Sequence, residues 1–258
     1  MLLVPLERHS HGKFGLIKKL RQNEPDLALS LSPAGDMRSG SDQRRSLLLH
    51  MPLEPARLYS LHQVHSHKVF TTGPEINGDI EGDGLVAGDP SHVLAVSVAD
   101  CMPIFLFHAA TRRFALVHSG WKGTGIALRA LKLLKAQSGL KAADFTAVLG
   151  PSIRNCCYQV DEERAASFSA DWGGDSVVWR AAGFSGTAGH TASTTTAGAG
   201  RAPYLDLLQA NLSSLQKAGV QDIRYVDECT ACTADLGSFR REGPQQFTHM
   251  LAMIGYFK

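Results

Sequence analysis

This chain has little that would place it in a membrane or on nucleic acid. Charged side chains make up only 19% of its 258 residues and aromatic ones 7%. No apolar run approaches the ~20 residues that a membrane-spanning helix needs. The formal charge of +2 comes from scattered basic residues, so neither nucleic acid nor a membrane is an expected partner. Cysteine is scarce and odd in number: Cys101, Cys156, Cys157, Cys229 and Cys232. One vicinal pair among five does not fit a secreted disulfide framework. The opening MLLVPLERHSHGKF has no basic stretch before its apolar residues and no small-residue cleavage site, so no signal peptide is expected. A reducing cytoplasm is the expected setting. What remains is an ordinary globular composition, 44% hydrophobic, with ample material for a core.

The apolar pattern organises the chain. Residues 93–107, VLAVSVADCMPIFLF, read as two buried strands broken at Asp100-Cys101 ahead of Pro103. A polar turn at Ala110–Arg113 leads to a strand from Phe114 to His118, which makes a hairpin-like pair. Ile126, Ala130, Leu131 and Leu134 share one helical face, so the spacing predicts a helix over about 124–137 that Gly139 stops. Phe145–Leu149 is a strand. Leu205, Leu208, Leu212 and Leu215 mark a second amphipathic helix ended by Gly219, and Ile223–Val226 and Met250–Phe257 read as further strands. The stretch 183–202, GFSGTAGHTASTTTAGAGRA, is low in complexity and reads as a mobile loop. Adjacent strands with interspersed helices favour an α+β fold.

Three residues carry the most chemistry. His65, Cys101 and His118 each follow a strand-like segment, and two imidazoles with one thiolate suit Zn²⁺, with copper as an alternative. Three protein ligands leave a fourth position open, as in a catalytic rather than a structural zinc site. His62, His65 and His67 bracket a strand end, where the two odd-numbered residues would share a face. Asp100 stands inside a buried run and needs a partner, either a ligand imidazole or a helix terminus. After His118, the turn Gly120-Trp121-Lys122-Gly123-Thr124-Gly125 enters a helix, where backbone N–H groups and Lys122 can hold an anion. Glycines that merely allow a tight turn explain the same spacing.

Two further groups are less definite. Cys229-Thr230-Ala231-Cys232 has zinc-ribbon or redox spacing, and Cys156-Cys157 could complete a four-cysteine set, although buried thiols are the default reading. Arg240-Arg241 is a solvated pair or a fork for phosphate or carboxylate.

The ordered motifs resemble the laccase-domain family, also called multicopper polyphenol oxidase-like or YfiH-type proteins. The matching stretches are Leu61–His65, Gly82–Val86, Val98–Pro103, His118–Gly123, Gly150–Ile153, Cys156–Val160, Asp206-Leu207 with Asn211, Ala218–Val220, Cys229-Thr230 and Ser238–Arg241. The resemblance implies one α+β domain over 1–258, with mixed sheets packed face to face and helices outside in αββα-type layers. It also implies a metal on His65, Cys101 and His118. The activities it implies are zinc-dependent adenosine deamination and phosphorolysis of adenosine, inosine, guanosine and methylthioadenosine. Other members are linked to copper-dependent polyphenol oxidation or to correction of peptidoglycan precursors. Lys122 stands where the family usually has Arg, Gln159 where it has Glu, and Thr248-His249 where it has Gly-Arg. The first 50 residues match poorly, and Lys18 or Lys19 is the nearest stand-in for an early family Arg.

The leading expectation is therefore a monomeric, zinc-dependent purine nucleoside enzyme acting with phosphate. Cys101, His118 and Asp100 form its catalytic set, and Lys122, Gly123 and Arg240 its phosphate contacts. A multicopper oxidase needs many His-X-His ligands, and the chain has only two such pairs, His65-Ser66-His67 near the candidate ligands and His9-Ser10-His11 at the N-terminus. Two other readings use the same residues or none of them: a Cys101 nucleophile activated by His118, and a non-enzymatic precursor-sensing or editing protein.

Overall fold

The computed structural model describes residues 1–9, 11–50, 54–76, 78–181 and 200–257. Two mixed β-sheets lie face to face. The seven-stranded sheet has the order Leu2–Leu3, Asp222–Tyr225, Thr146–Leu149, Met102–His108, Arg113–Ser119, Gly84–Val86, Val69–Thr71. The six-stranded sheet has the order Leu6–Arg8, Phe14–Ile17, Asp26–Ser30, Met250–Gly255, Val93–Val98, Leu58–Tyr59. Antiparallel pairs dominate, while Thr146–Leu149 runs parallel to Asp222–Tyr225 and Leu58–Tyr59 parallel to Val93–Val98.

The near-continuous apolar strands follow from burial on both faces. Leu94, Val96 and Val98 face the opposite sheet, meeting Phe105, Phe107, Phe114 and Leu116, while Val93 and Ala95 join the far-side core with Leu251 and Met253. Leu47 and Leu48 of the helix Asp42–Leu49 cover that far side. Beyond the seven-stranded sheet, Ile104, Leu106, Ala115 and Val117 pack under three helices. These are Ile126–Ser138, Glu162–Trp172 and Leu207–Lys217. The result is a helix–sheet–sheet–helix stack, the α+β arrangement that the resemblance implies.

The helix expected from residue 124 starts at Ile126, because Gly125 occupies a left-handed conformation at its N-cap, and Gly139 closes it in the same conformation. Leu205 belongs to the strand Arg201–Leu205 rather than to the following helix. Arg201 and Ala202 of the expected loop begin that strand, paired with Val177–Ala181, and residues 183–199 of the loop lie outside the described residues. The divergent first 50 residues supply three strands of the six-stranded sheet.

A buried ion pair ties this N-terminal chain to the other sheet. Arg224 donates to both Glu24 oxygens at 2.9 Å and to Asp222 at 2.6 and 3.0 Å. Burial alone would raise the Glu24 carboxyl, but the Arg224 hydrogen bond outweighs it and holds the group below its ordinary value. Glu24→Gln removes one of the two carboxylates on this buried guanidinium, leaving Asp222, and should cost about 1.5–3 kcal/mol in urea unfolding at neutral pH. A carboxyl with a depressed folded pKa contributes stability above its unfolded value of about 4.3 and loses it as pH falls further. The variant should therefore show a shallower loss of stability in acid than the parent, and an unchanged acid profile would contradict this assignment.

Candidate metal centre and cavity

The chain crosses from the six-stranded sheet to the seven-stranded sheet at Ala99-Asp100-Cys101. Asp100 makes that turn with φ 80°, and His65 has φ 59°. These are two of the three non-glycine residues with positive φ among those described, so backbone strain gathers at the candidate site. Asp100 is held by Thr230 Oγ1, which donates to Oδ1 at 2.6 Å, and by the backbone N–H of Arg240, which donates to Oδ2 at 2.7 Å. That amide opens the short helix Phe239–Glu242, so the partner of this buried carboxylate is a helix terminus and not an imidazole.

Cys101 and His118 ride on neighbouring strands, since Met102 pairs with Ser119 and Pro103 with His118. His65 reaches them from a loop. The expectation that it closes a strand, with His67 on the same face, does not hold. Its left-handed bend turns the two imidazoles apart, and His67 Nε2 bonds the Thr124 carbonyl at 2.9 Å. The donor atoms of His65, Cys101 and His118 lie within 4.8 Å of one another, with the two rings edge to face at 4.9 Å.

Asp83 organises this group, and the sequence reading gave it no role. It is fully buried and its Oδ1 bonds His118 Nδ1 at 2.9 Å, which leaves the other ring nitrogen turned to Cys101. The same carboxylate accepts from the backbone N–H groups of Val64, His65 and Ser66 and from Ser66 Oγ. Burial would raise its pKa, but the His118 and Ser66 donors outweigh that and hold it well below the carboxylate range. A buried Asp set between two glycines at the head of an apolar strand was the signal available. Burial would likewise raise the Cys101 thiol, but the charge and hydrogen bonds of His118 and His65 bring it down to about 6. His118 moves up to about 9 against its own burial, through Cys101 and Asp83.

This donor set fits a resident metal. It offers a thiol already biased to thiolate and an imidazole whose tautomer is fixed by a carboxylate. The backbone leaves room as well, since a Cβ on Gly120 would stand 2.7 Å from Cys101 Sγ and 3.4 Å from His65 Cδ2.

The triad opens into a cavity of about 620 Å³. Arg240, named from the sequence, lines it, with its guanidinium donating to the carbonyls of Cys157 and Gln159 at 3.1 and 2.9 Å. Asp100 lines it too. Lys122 and Gly123 do not: Lys122 is exposed, its ammonium 5.4 Å from the Trp121 ring, and Gly123 is buried beneath the turn. Gln159 lies outside, accepting from Tyr204. Lys19 pairs with Asp26 and Lys18 with Glu7, away from the cavity, and the N-terminal arginines on its wall are instead Arg38 and Arg44. Arg44 is buried, and its hydrogen bonds go to Ser97 Oγ and the Met37 carbonyl. His249 lines the wall, bonded to Asp36 at 2.9 Å.

Residues 25–256 match the family described as multi-copper polyphenol oxidoreductase laccase. The chain belongs to that family. This laccase-family chain is 31% identical over 222 residues to a protein of Deinococcus radiodurans named purine nucleoside phosphorylase, covering 85% of the chain and 78% of the relative. A Mycobacterium bovis protein of the same name is 30% identical over 204 residues, covering 78% and 74%. The crystal structure of YlmD from Geobacillus stearothermophilus superposes with a TM-score of 0.80 at 24% identity, over 99% of this chain and 100% of that one. No helix among the described residues is long and apolar enough to cross a membrane.

Two measurements probe the centre. Gly120→Ala should press on Cys101 and weaken Zn²⁺ binding about tenfold or more in competition with a colorimetric chelator; affinity equal to the parent would show that the cradle is not needed. In metal-stripped protein, the alkylation rate of Cys101, followed by peptide mass spectrometry, should rise as pH increases through about 6. An ordinary thiol has its midpoint near 8.5, and that result would contradict the imidazole–thiolate pairing.

Proposed function

We propose that this chain is a zinc-dependent purine nucleoside phosphorylase that also deaminates adenosine, with adenosine, inosine, guanosine and methylthioadenosine as substrates. One juxtaposition carries the reading: the His65, Cys101 and His118 donors lie in a cavity that also presents Arg44, Arg164 and Arg240 beside Trp121, Tyr158, Phe239 and Phe247. Relatives named purine nucleoside phosphorylase support it.

His65, Cys101 and His118 would hold the zinc, which when bound supplies Lewis acidity and lowers the pKa of water from ~15.7 towards ~7. The protein's own side chains do the rest. A purine base offers a flat π-face to the Phe239–Phe247 pair, whose rings meet edge to face at 5.0 Å with His249 4.5 Å beyond. Phosphate is a match for guanidinium forks. Arg44 is suited to this because it donates to neutral oxygens, the Met37 carbonyl and Ser97 Oγ, which leaves its charge for an anion. Arg240 lines the same cavity, while Lys122 stands outside it with its ammonium 5.4 Å from the Trp121 ring. In phosphorolysis a phosphate oxygen bonds to C1′ as the C1′–N9 bond breaks, and the departing purine takes the electron pair and a proton. In deamination water adds at C6 and ammonia leaves. Asp100 acts as a positioning residue, because its carboxylate locks the strained turn that aims Cys101.

The polyphenol-oxidase reading is weaker. Among the described residues, histidines gather into a metal-competent group at this triad alone, a set sized for one ion.

The deciding experiment incubates the purified protein with adenosine and phosphate, with and without chelator, and separates bases from nucleosides. Adenine, ribose 1-phosphate and inosine should form, chelation or His118→Ala should abolish them, and Arg44→Ala should raise KM for phosphate about tenfold or more. Full turnover by metal-free protein, or none by zinc-loaded protein, would sink the proposal.

A further inference from the structure

A second group of donors lies outside the cavity, and nothing in the proposed chemistry uses it. Cys156 and Cys157 sit beyond the strand Thr146–Leu149, and Cys229 and Cys232 beyond its parallel neighbour Asp222–Tyr225. The bridge between Ser152 and Cys229 keeps the two chains side by side past the sheet, with Thr230 N–H donating to the Ser152 carbonyl at 3.1 Å. All four sulfurs therefore lie within 4.8 Å of one another.

Their spacing is that of ligands rather than of a disulfide. Cys232 Sγ lies 3.7 Å from Cys156 Sγ and 3.3 Å from Cys157 Sγ. A tetrahedral ion with metal–sulfur bonds of about 2.3 Å sets neighbouring sulfurs about 3.8 Å apart, whereas a disulfide brings them to about 2.05 Å. The backbone is arranged to match. Cys229-Thr230-Ala231-Cys232 closes a tight turn, in which the Cys232 and Thr233 N–H groups donate to the Cys229 carbonyl at 3.1 and 3.0 Å. The backbone N–H of Arg154 donates to Cys229 Sγ at 3.4 Å. An amide aimed at a sulfur favours its thiolate.

An independent observation calls for negative charge in the same place. The Arg154 side chain is buried; Nη2 donates to the Val226 carbonyl, while Nε and Nη1 have no hydrogen-bond partner. Asp227 and Asp206 meet part of its charge, ahead of Cys229 and Cys156, but a buried guanidinium with two unpaired nitrogens remains costly beside neutral thiols. Four thiolates around a divalent ion carry a net charge of about −2 and would offset it.

We propose that Cys156, Cys157, Cys229 and Cys232 form a second metal site, for a thiophilic tetrahedral divalent cation, Zn²⁺ foremost. Four protein ligands close the coordination shell, so the ion is structural and not catalytic. It pins two loops that support the first site: Thr230, next to Cys229, donates to Asp100, and the Cys157 carbonyl accepts from Arg240. This inference does not depend on the nucleoside reading.

The test removes the first site and asks what stays bound. His65→Ala/His118→Ala protein, purified under reducing conditions, loaded with Zn²⁺ and desalted, should retain one zinc per chain by elemental analysis. Its X-ray absorption fine structure should show a shell of sulfur only, and Co²⁺ in its place should show strong thiolate-to-metal charge-transfer absorption. Adding Cys229→Ser/Cys232→Ser should remove the ion. If those variants do not fold, the parent chain serves, since Zn²⁺ should slow alkylation of all four cysteines, read peptide by peptide. No zinc in the folded first-site variant, a shell containing nitrogen or oxygen, or zinc-independent alkylation of the four thiols would overturn the proposal. The parent's total zinc, compared with the variant's, reads the first site separately.

Discussion

The buried carboxylate of Asp83 is the interaction on which the candidate centre depends. It has no access to solvent, so its charge must be met entirely by neighbouring donors. Those donors are the His118 imidazole and the backbone of residues 64–66. One residue thus fixes the tautomer of a core histidine and the path of the loop that carries His65. Two of the three prospective ligands are oriented by a group that would not touch the metal itself. The dependence runs both ways, because a carboxylate with these partners missing would be an uncompensated charge between two sheets.

Around that anchor, the twofold alternation of the strands divides the interior. The residues of 93–107 look uniformly apolar in the sequence, yet successive side chains serve different cores. The pattern read without structure located these strands and their break correctly, because Asp100 and Pro103 interrupt the run. It could not reveal that the break is a passage between two sheets, since a hairpin and a sheet-to-sheet crossing present the same residues. The hairpin of Met102–His108 with Arg113–Ser119 was legible because its pairing is local.

The less legible parts have specific physical causes. The positive φ of His65 is uncommon for any residue with a side chain, even though histidine adopts it more often than most, so a face argument built on strand geometry failed there. The first 50 residues contribute short strands whose apolar positions are too few to show a period. Arg44 and Arg38 consequently passed unnoticed, and lysines that pair with Asp26 and Glu7 drew attention instead. The four cysteines were visible as types and spacing, but their convergence rests on the parallel pairing of two strands about 75 residues apart in sequence, a long-range contact no local motif encodes.

The crossing at Asp100–Cys101 also has a mechanical meaning. Cys101 and His118 belong to the seven-stranded sheet, and His65 is tied to it through Asp83. Part of the cavity wall, His249 just before Met250–Gly255 and Arg44 bonded to Ser97, travels with the six-stranded sheet. A small shear between the sheets would therefore change the width of the cavity while leaving the ligand geometry intact. Part of the cavity wall and the three metal donors are thus carried by different sheets, so drift in sequence can retune that part of the wall without dismantling the donors.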